Sequence, residues 1–132
     1  LPKPTDKDGD EAPPYEGWCH GDLSKVKKIF QKLRIPESRV HIVKGWFQDT
    51  FLEVQIPNIA ILHIDADWYE SVRLCLERFY DNVQPGGYIV LDDYGDWQGG
   101  RGATGEILKK RALDVKLIQV DYTGYYFQKP RE

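Results

Sequence analysis

Ile59-Ala60-Ile61-Leu62-His63-Ile64-Asp65-Ala66-Asp67 is the stretch on which the reading of this chain turns. A nearly continuous apolar run of this length, closed by two carboxylates, predicts a buried parallel strand with polar groups at its C-terminal end. Beyond it, Trp68, Val72, Cys75, Leu76, Phe79 and Val83 recur at helical spacing and predict an amphipathic helix over residues 68–83. Pro85-Gly86-Gly87 reads as a turn. Tyr88-Ile89-Val90-Leu91 then reads as a second buried strand, and Asp92-Asp93-Tyr94 follows it. One right-handed crossover joins the two strands. As neighbours they lie about 4.8 Å apart and present both acidic pairs at the edge where open α/β sheets bind ligands.

The rest of the chain fits around this unit. Asp22 is placed to cap a helix carrying Leu23, Val26, Ile29, Phe30 and Leu33, which Pro36 ends. Residues 39–44 alternate and are rich in β-branched side chains, so they predict a strand with Gly45 at its end. Residues 103–113 read as a helix weakened by Gly105. Residues 115–120 and Tyr125–Gln128 predict an antiparallel hairpin around Thr123-Gly124. Residues 1–20, rich in Pro, Asp, Glu and Lys, read as an exposed loop ahead of an α/β portion over 21–132. The fold class is α/β with a largely parallel sheet.

Composition narrows the function. A chain of 132 residues makes one domain, and its net charge of −3 argues against a nucleic-acid partner. No apolar run reaches the roughly 20 residues of a membrane-spanning helix, so no membrane partner is expected. Cys19 and Cys75 cannot make a disulfide framework, and no Cys/His spacing fits zinc. The first residues have no secretory apolar core, so cytoplasmic residence is expected. The chain contains no Met, from which we expect it to begin inside a longer protein.

Acids converging at one edge are costly. Two unit charges about 4 Å apart repel by roughly 4 kcal/mol at an effective dielectric near 20. Either some carboxyls hold protons, or a cation sits among them, and all-oxygen ligation suits Mg²⁺. The plainer alternative is that each Asp satisfies loop amides, with Asp67 capping the helix that begins near Trp68. Haloacid-dehalogenase phosphatases also pair such strand ends, but need a Ser/Thr motif and a Lys between them. Here a single helix fills the 25 or so intervening residues. A metal-dependent glycosyltransferase using Asp-x-Asp is a further alternative. His41 and His63 lie in predicted strands and read as structural; His20 is uninformative. Arg101, flanked by glycines, reads as a solvated loop charge.

The two acidic strand ends, with Trp68-Tyr69-Glu70-Ser71 after the first and Pro85-Gly86-Gly87 before the second strand, closely resemble the macrocin O-methyltransferase family. Lys44-Gly45-Trp46-Phe47-Gln48-Asp49-Thr50 matches the family segment after its third strand, and Leu1-Pro2-Lys3-Pro4 the one after its second. The resemblance implies a Rossmann-like sheet of order 3-2-1-4-5-7-6, with residues 1–132 forming a partial class I methyltransferase domain. The first two strands, with their glycine-rich loop and ribose-binding acid, are then absent, and a gap opens between residues 39–44 and 59–64. It further implies an S-adenosylmethionine-dependent, Mg²⁺-assisted O-methyltransferase, with a sugar or glycoside hydroxyl as small-molecule acceptor. Asp65, Asp92 and Asp93 would hold the metal and Asp67 would be the general base. Trp46, Phe47, Gln48 and Asp65 would contact the cofactor, although Trp46 and Phe47 are equally readable as core. A non-catalytic remnant is the alternative. Two positions differ from the family pattern: Asp96 stands where His is common, and Ala103-Thr104-Gly105-Glu106 where Ala-Val-Asp-Glu is usual. Because the gap leaves a strand edge and apolar faces open, we expect residues 39–44 to move beside residues 59–64, to pair with a second copy as a homo-oligomer, or to be completed by a longer polypeptide.

Overall fold

In a computed structural model the described residues are 1–10, 12 and 16–131. The two apolar runs pair as predicted. Strand β1 (Ile59–Ile64) lies parallel to β2 (Val83–Leu91), and helix α3 (Tyr69–Phe79) connects them after α1 (Leu23–Lys32) and a one-turn α2 (Phe47–Thr50). Helix α4 (Gln98–Lys110) leads to the hairpin of β3 (Ile118–Gln119) and β4 (Tyr125–Gln128). The sheet order is β1-β2-β4-β3, with β4 antiparallel to β2. This is the 4-5-7-6 half of the order that the resemblance implies.

One face of the sheet is covered. Leu62, Ile89 and Phe127 share a register row, as do Ile64 and Leu91. They pack with Val72, Cys75, Leu76 and Phe79 of α3 and Ala103 and Ile107 of α4. The opposite face leaves Ile61 62% and Tyr88 41% exposed, so β1 is buried on one side only, where a two-sided strand was expected. The apolar run does not distinguish these cases, because it lacks the alternation that marks an open face.

Several boundaries differ from the sequence reading. Residues 39–44 form no strand: Glu37–Arg39 is a 3-10 turn, and the following residues have no ladder partner among the described residues. Alternation favours extended backbone, but a strand needs a neighbour to satisfy its N–H and C=O groups. Helix α3 is shorter than residues 68–83, closing through a 3-10 turn at Tyr80–Asn82. Pro85-Gly86-Gly87 is no free turn but an irregular start of β2. The register jumps from Ile59↔Val83 to Ile61↔Tyr88, and the extra residues are absorbed there. A Cβ on Gly87 would come within 2.9 Å of the Ala60 carbonyl oxygen, so the strands approach closely only with glycine.

Helix α4 spans residues 98–110 rather than 103–113, so Gly99, Gly100 and Arg101 are helical. Glycine lowers helix propensity, but here tertiary packing prevails, because a Cβ at Gly99 would collide with Asp8 and Tyr69. The N-terminal loop is not wholly exposed either. Asp6–Asp8 forms a 3-10 turn, and Asp8 is buried. Residues 11, 13–15 and 132 of the expected loop and α/β portion lie outside the described residues. Asp22 caps α1 as read, accepting from the Ser24 N–H at 2.8 Å.

Candidate active site

The parallel pairing of β1 and β2 ends in register, and the Asp92 N–H donates to the Ile64 carbonyl at 3.0 Å. Asp65 and Asp92 therefore leave the sheet side by side. Ligand oxygens of Asp65, Asp92 and Asp93 lie within 4.8 Å of one another. The Asp67 carboxyl lies against that of Asp93, close enough for the two to share a proton. All four acids predicted to converge do so.

Their electrostatics follow from crowding. Burial, the hydrogen bond to Asp67 and the charges of Asp67, Asp92 and Asp65 push the Asp93 carboxyl up to about 7. Burial also raises Asp67, opposed by its bond with Asp93 and reinforced by Asp65. A proton shared at this edge offsets charge that a cation would otherwise neutralise. Asp67 does not cap α3. The N-cap position is Trp68, which has no side-chain bond to the helix, so the capping alternative for Asp67 fails.

A cavity of about 360 Å³ opens beside the acids, lined among others by Trp46, Phe47, Gln48, Asp65, Asp67 and Trp68. Trp46 is 54% exposed on it, so it is not a core residue. Phe47 is half-buried and stacks on Phe51, with ring centroids 4.7 Å apart. Arg78 of α3 donates to the Phe51 and Val54 carbonyls at 2.8 and 2.7 Å, tying this segment to the core. Gly45 has φ +153°, and a Cβ there would meet Thr50 at 2.6 Å, so only glycine admits the bend into Trp46.

Other residues are placed differently from the sequence reading. His63 is not an enclosed structural histidine: it is exposed, and its Nε2 lies 3.3 Å from Asp92 Oδ1. His41 is exposed in the unpaired segment. Arg101 donates to the Tyr94 and Gly95 carbonyls, pinning the turn that follows Asp93. Thr104 is fully buried and bonds the Gly100 carbonyl at 2.8 Å, so it fills the space of the usual Val without an unpaired hydroxyl. Glu106 accepts from the Tyr69 hydroxyl. Sequence reading missed Asp8, whose Oδ1 accepts from the Tyr69 N–H at 2.6 Å; Thr5-x-x-Asp8 is a capping-box spacing that could have signalled it.

The profile of the macrocin O-methyltransferase (TylF) family matches residues 2–129. The demethyldecarbamoylnovobiocin O-methyltransferase of Streptomyces niveus is 33% identical over 107 residues, 81% of this chain and 41% of that protein. The mycinamicin III 3''-O-methyltransferase of Micromonospora griseorubida is 26% identical over 81% of this chain and 42% of that protein. The chain thus spans about two-fifths of the length of these curated relatives. Among solved structures, the O-methyltransferase NovP superposes with a TM-score of 0.79 at 32% identity, covering 83% of this chain and 46% of that one. The calicheamicin methyltransferase CalS11, at 18% identity and a TM-score of 0.74 over 97% of this chain and 56% of that one, shares the fold. With its profile matched almost end to end, the chain belongs to the macrocin O-methyltransferase family.

Proposed function

We propose that residues 1–132 are part of a class I methyltransferase domain and carry the cation-binding and proton-transfer side of an S-adenosylmethionine-dependent O-methyltransferase. The acceptor in this reading is a hydroxyl on a sugar or glycosylated natural product, the chemistry named for the relatives. One observation carries the reading: carboxylates of Asp65, Asp92 and Asp93 from two adjacent strand ends converge within 4.8 Å, with Asp67 beside Asp93.

The donor set fits a hard divalent cation. It is all oxygen, and burial together with the neighbouring acids raises the Asp93 carboxyl to about 7. Asp65, Asp92 and Asp93 would hold Mg²⁺. When bound, such an ion lowers the pKa of an oxygen that it touches. Asp67 then takes the proton of the acceptor hydroxyl; its raised pKa makes it a stronger base than an ordinary carboxylate. Trp46 and Phe47 offer aromatic surface for the adenine of S-adenosylmethionine, with Gln48 and Asp65 as its polar contacts on the same cavity.

The test is transfer of a labelled methyl group from S-adenosylmethionine by the full-length protein, against a panel of glycosides, with and without chelator. We expect transfer that chelation abolishes and Mg²⁺ restores. Transfer that survives chelation removes the metal from the reading. Absence of both transfer and cofactor binding favours a non-catalytic relative, and turnover of a sugar nucleotide instead favours glycosyl transfer.

A further inference from the structure

Asp8 is the only buried carboxylate among the described residues, 2% exposed, and it lies outside the acidic cluster. Its Oδ2 accepts from the Thr5 N–H at 2.7 Å and the Thr5 hydroxyl at 3.0 Å, while Oδ1 accepts from the Tyr69 N–H at 2.6 Å. Tyr69 opens α3, and its amide is one of the orphan donors at a helix start. Helices usually satisfy such donors from an adjacent Ser, Thr, Asp or Asn. Here that position is Trp68, and the acceptor comes from 61 residues upstream in sequence. The Trp68 indole N–H donates to the Pro2 carbonyl at 2.8 Å, and Pro2 lines the same cavity as Asp67. Both residues that follow Asp67 are therefore held by the N-terminal segment.

We propose that Asp8 is a positioning residue for the acidic edge: by fixing the start of α3 from the N-terminal segment, it holds Asp67 against Asp93. The inference rests on the reading of Asp67 and the metal set given above. The geometry demands a carboxylate. Each oxygen faces a backbone N–H, so an acceptor-only group fits, whereas an amide turns its NH₂ on one of those donors in either orientation. Position 99 is matched to it. A Cβ on Gly99 would stand 2.0 Å from Asp8 Oδ1 and 2.8 Å from the Tyr69 nitrogen. Negative charge at the first turn of α3 also complements the helix dipole.

The experiment compares wild type with Asp8→Asn, Gly99→Ala and the milder Thr5→Ala in the full-length protein. Hydrogen exchange is followed across residues 65–72, Mn²⁺ binding by electron paramagnetic resonance, and kcat and KM by methyl transfer. Asp8→Asn should speed exchange across 65–72 while β2 stays protected. The kcat should fall about 10–100-fold, the scale on which a misplaced catalytic group costs rate, with Mn²⁺ affinity and acceptor KM little changed. Gly99→Ala should act in the same direction from the other side of the bond. Should Asp8→Asn fail to fold, Thr5→Ala decides by the same local signature at smaller amplitude. Wild-type exchange over 65–72 in Asp8→Asn, or equal loss of protection in β2, overturns the proposal. If the wild type neither binds Mn²⁺ nor transfers methyl, the functional reading fails, and the exchange pattern alone decides whether Asp8 holds this loop.

Discussion

Residues 59–64 and residues 39–44 both read as short strands in the sequence, but only the first becomes one. The difference is pairing. Ile59–Ile64 has β2 beside it through a local crossover, and α3 covers one of its faces. Residues 40–44 have no ladder partner among the described residues and lie along a groove of about 350 Å³ formed with α1, whose Ile29 remains 56% exposed. Extended propensity is a property of the segment; a strand is a property of the pair.

The most severe way to break this comparison is to truncate the same residue type in both places. In the 132-residue chain, Ile64→Ala, from a side chain with 3% exposure, should cost about 2–5 kcal/mol by urea unfolding. Ile42→Ala, from one 42% exposed, should cost about 0.5 kcal/mol or less. Equal costs would mean that residues 39–44 are paired in solution.

A subtler effect separates the two regions by pH. Asp93 titrates near 7 when folded and near 3.8 when unfolded, so the folded chain keeps a proton that the unfolded chain releases. Its contribution to stability is full below about pH 4 and is lost as pH rises through about 7. With chelator present, the urea midpoint should fall between pH 5 and 8, and Asp93→Asn should flatten that slope. An unchanged slope would show that the acids are not crowded as described.

The smallest effect is chemical. Burial pushes the Cys75 thiol up to about 12, whereas Cys19 is exposed on the cavity. Mass spectrometry after brief iodoacetamide treatment should find Cys19 modified and Cys75 intact; labelling of Cys75 would mean that α3 opens readily.

The acidic edge was legible in sequence because everything that builds it is local: two apolar runs, one crossover helix and acids at both ends. The helical face of Val72, Cys75, Leu76 and Phe79 was legible for the same reason. What stayed hidden depends on contacts between distant residues. Gly99 argues against a helix until Asp8 and Tyr69 are seen to need the space. The bond from Tyr69 to Asp8 spans 61 residues, and no periodicity reports it. Pro85-Gly86-Gly87 carries every mark of a turn, yet it serves the close approach of two strands.

The central claim is a division of labour among four carboxylates, and Asp67→Asn in the full-length protein tests it most directly. Methyl-transfer rates are measured as a function of Mg²⁺ concentration. The account predicts a rate about 10²–10⁴-fold below wild type, the usual worth of a general base, with the half-saturating Mg²⁺ concentration unchanged. Near-normal turnover would contradict the base assignment, and a lost Mg²⁺ response would place Asp67 among the ligands instead.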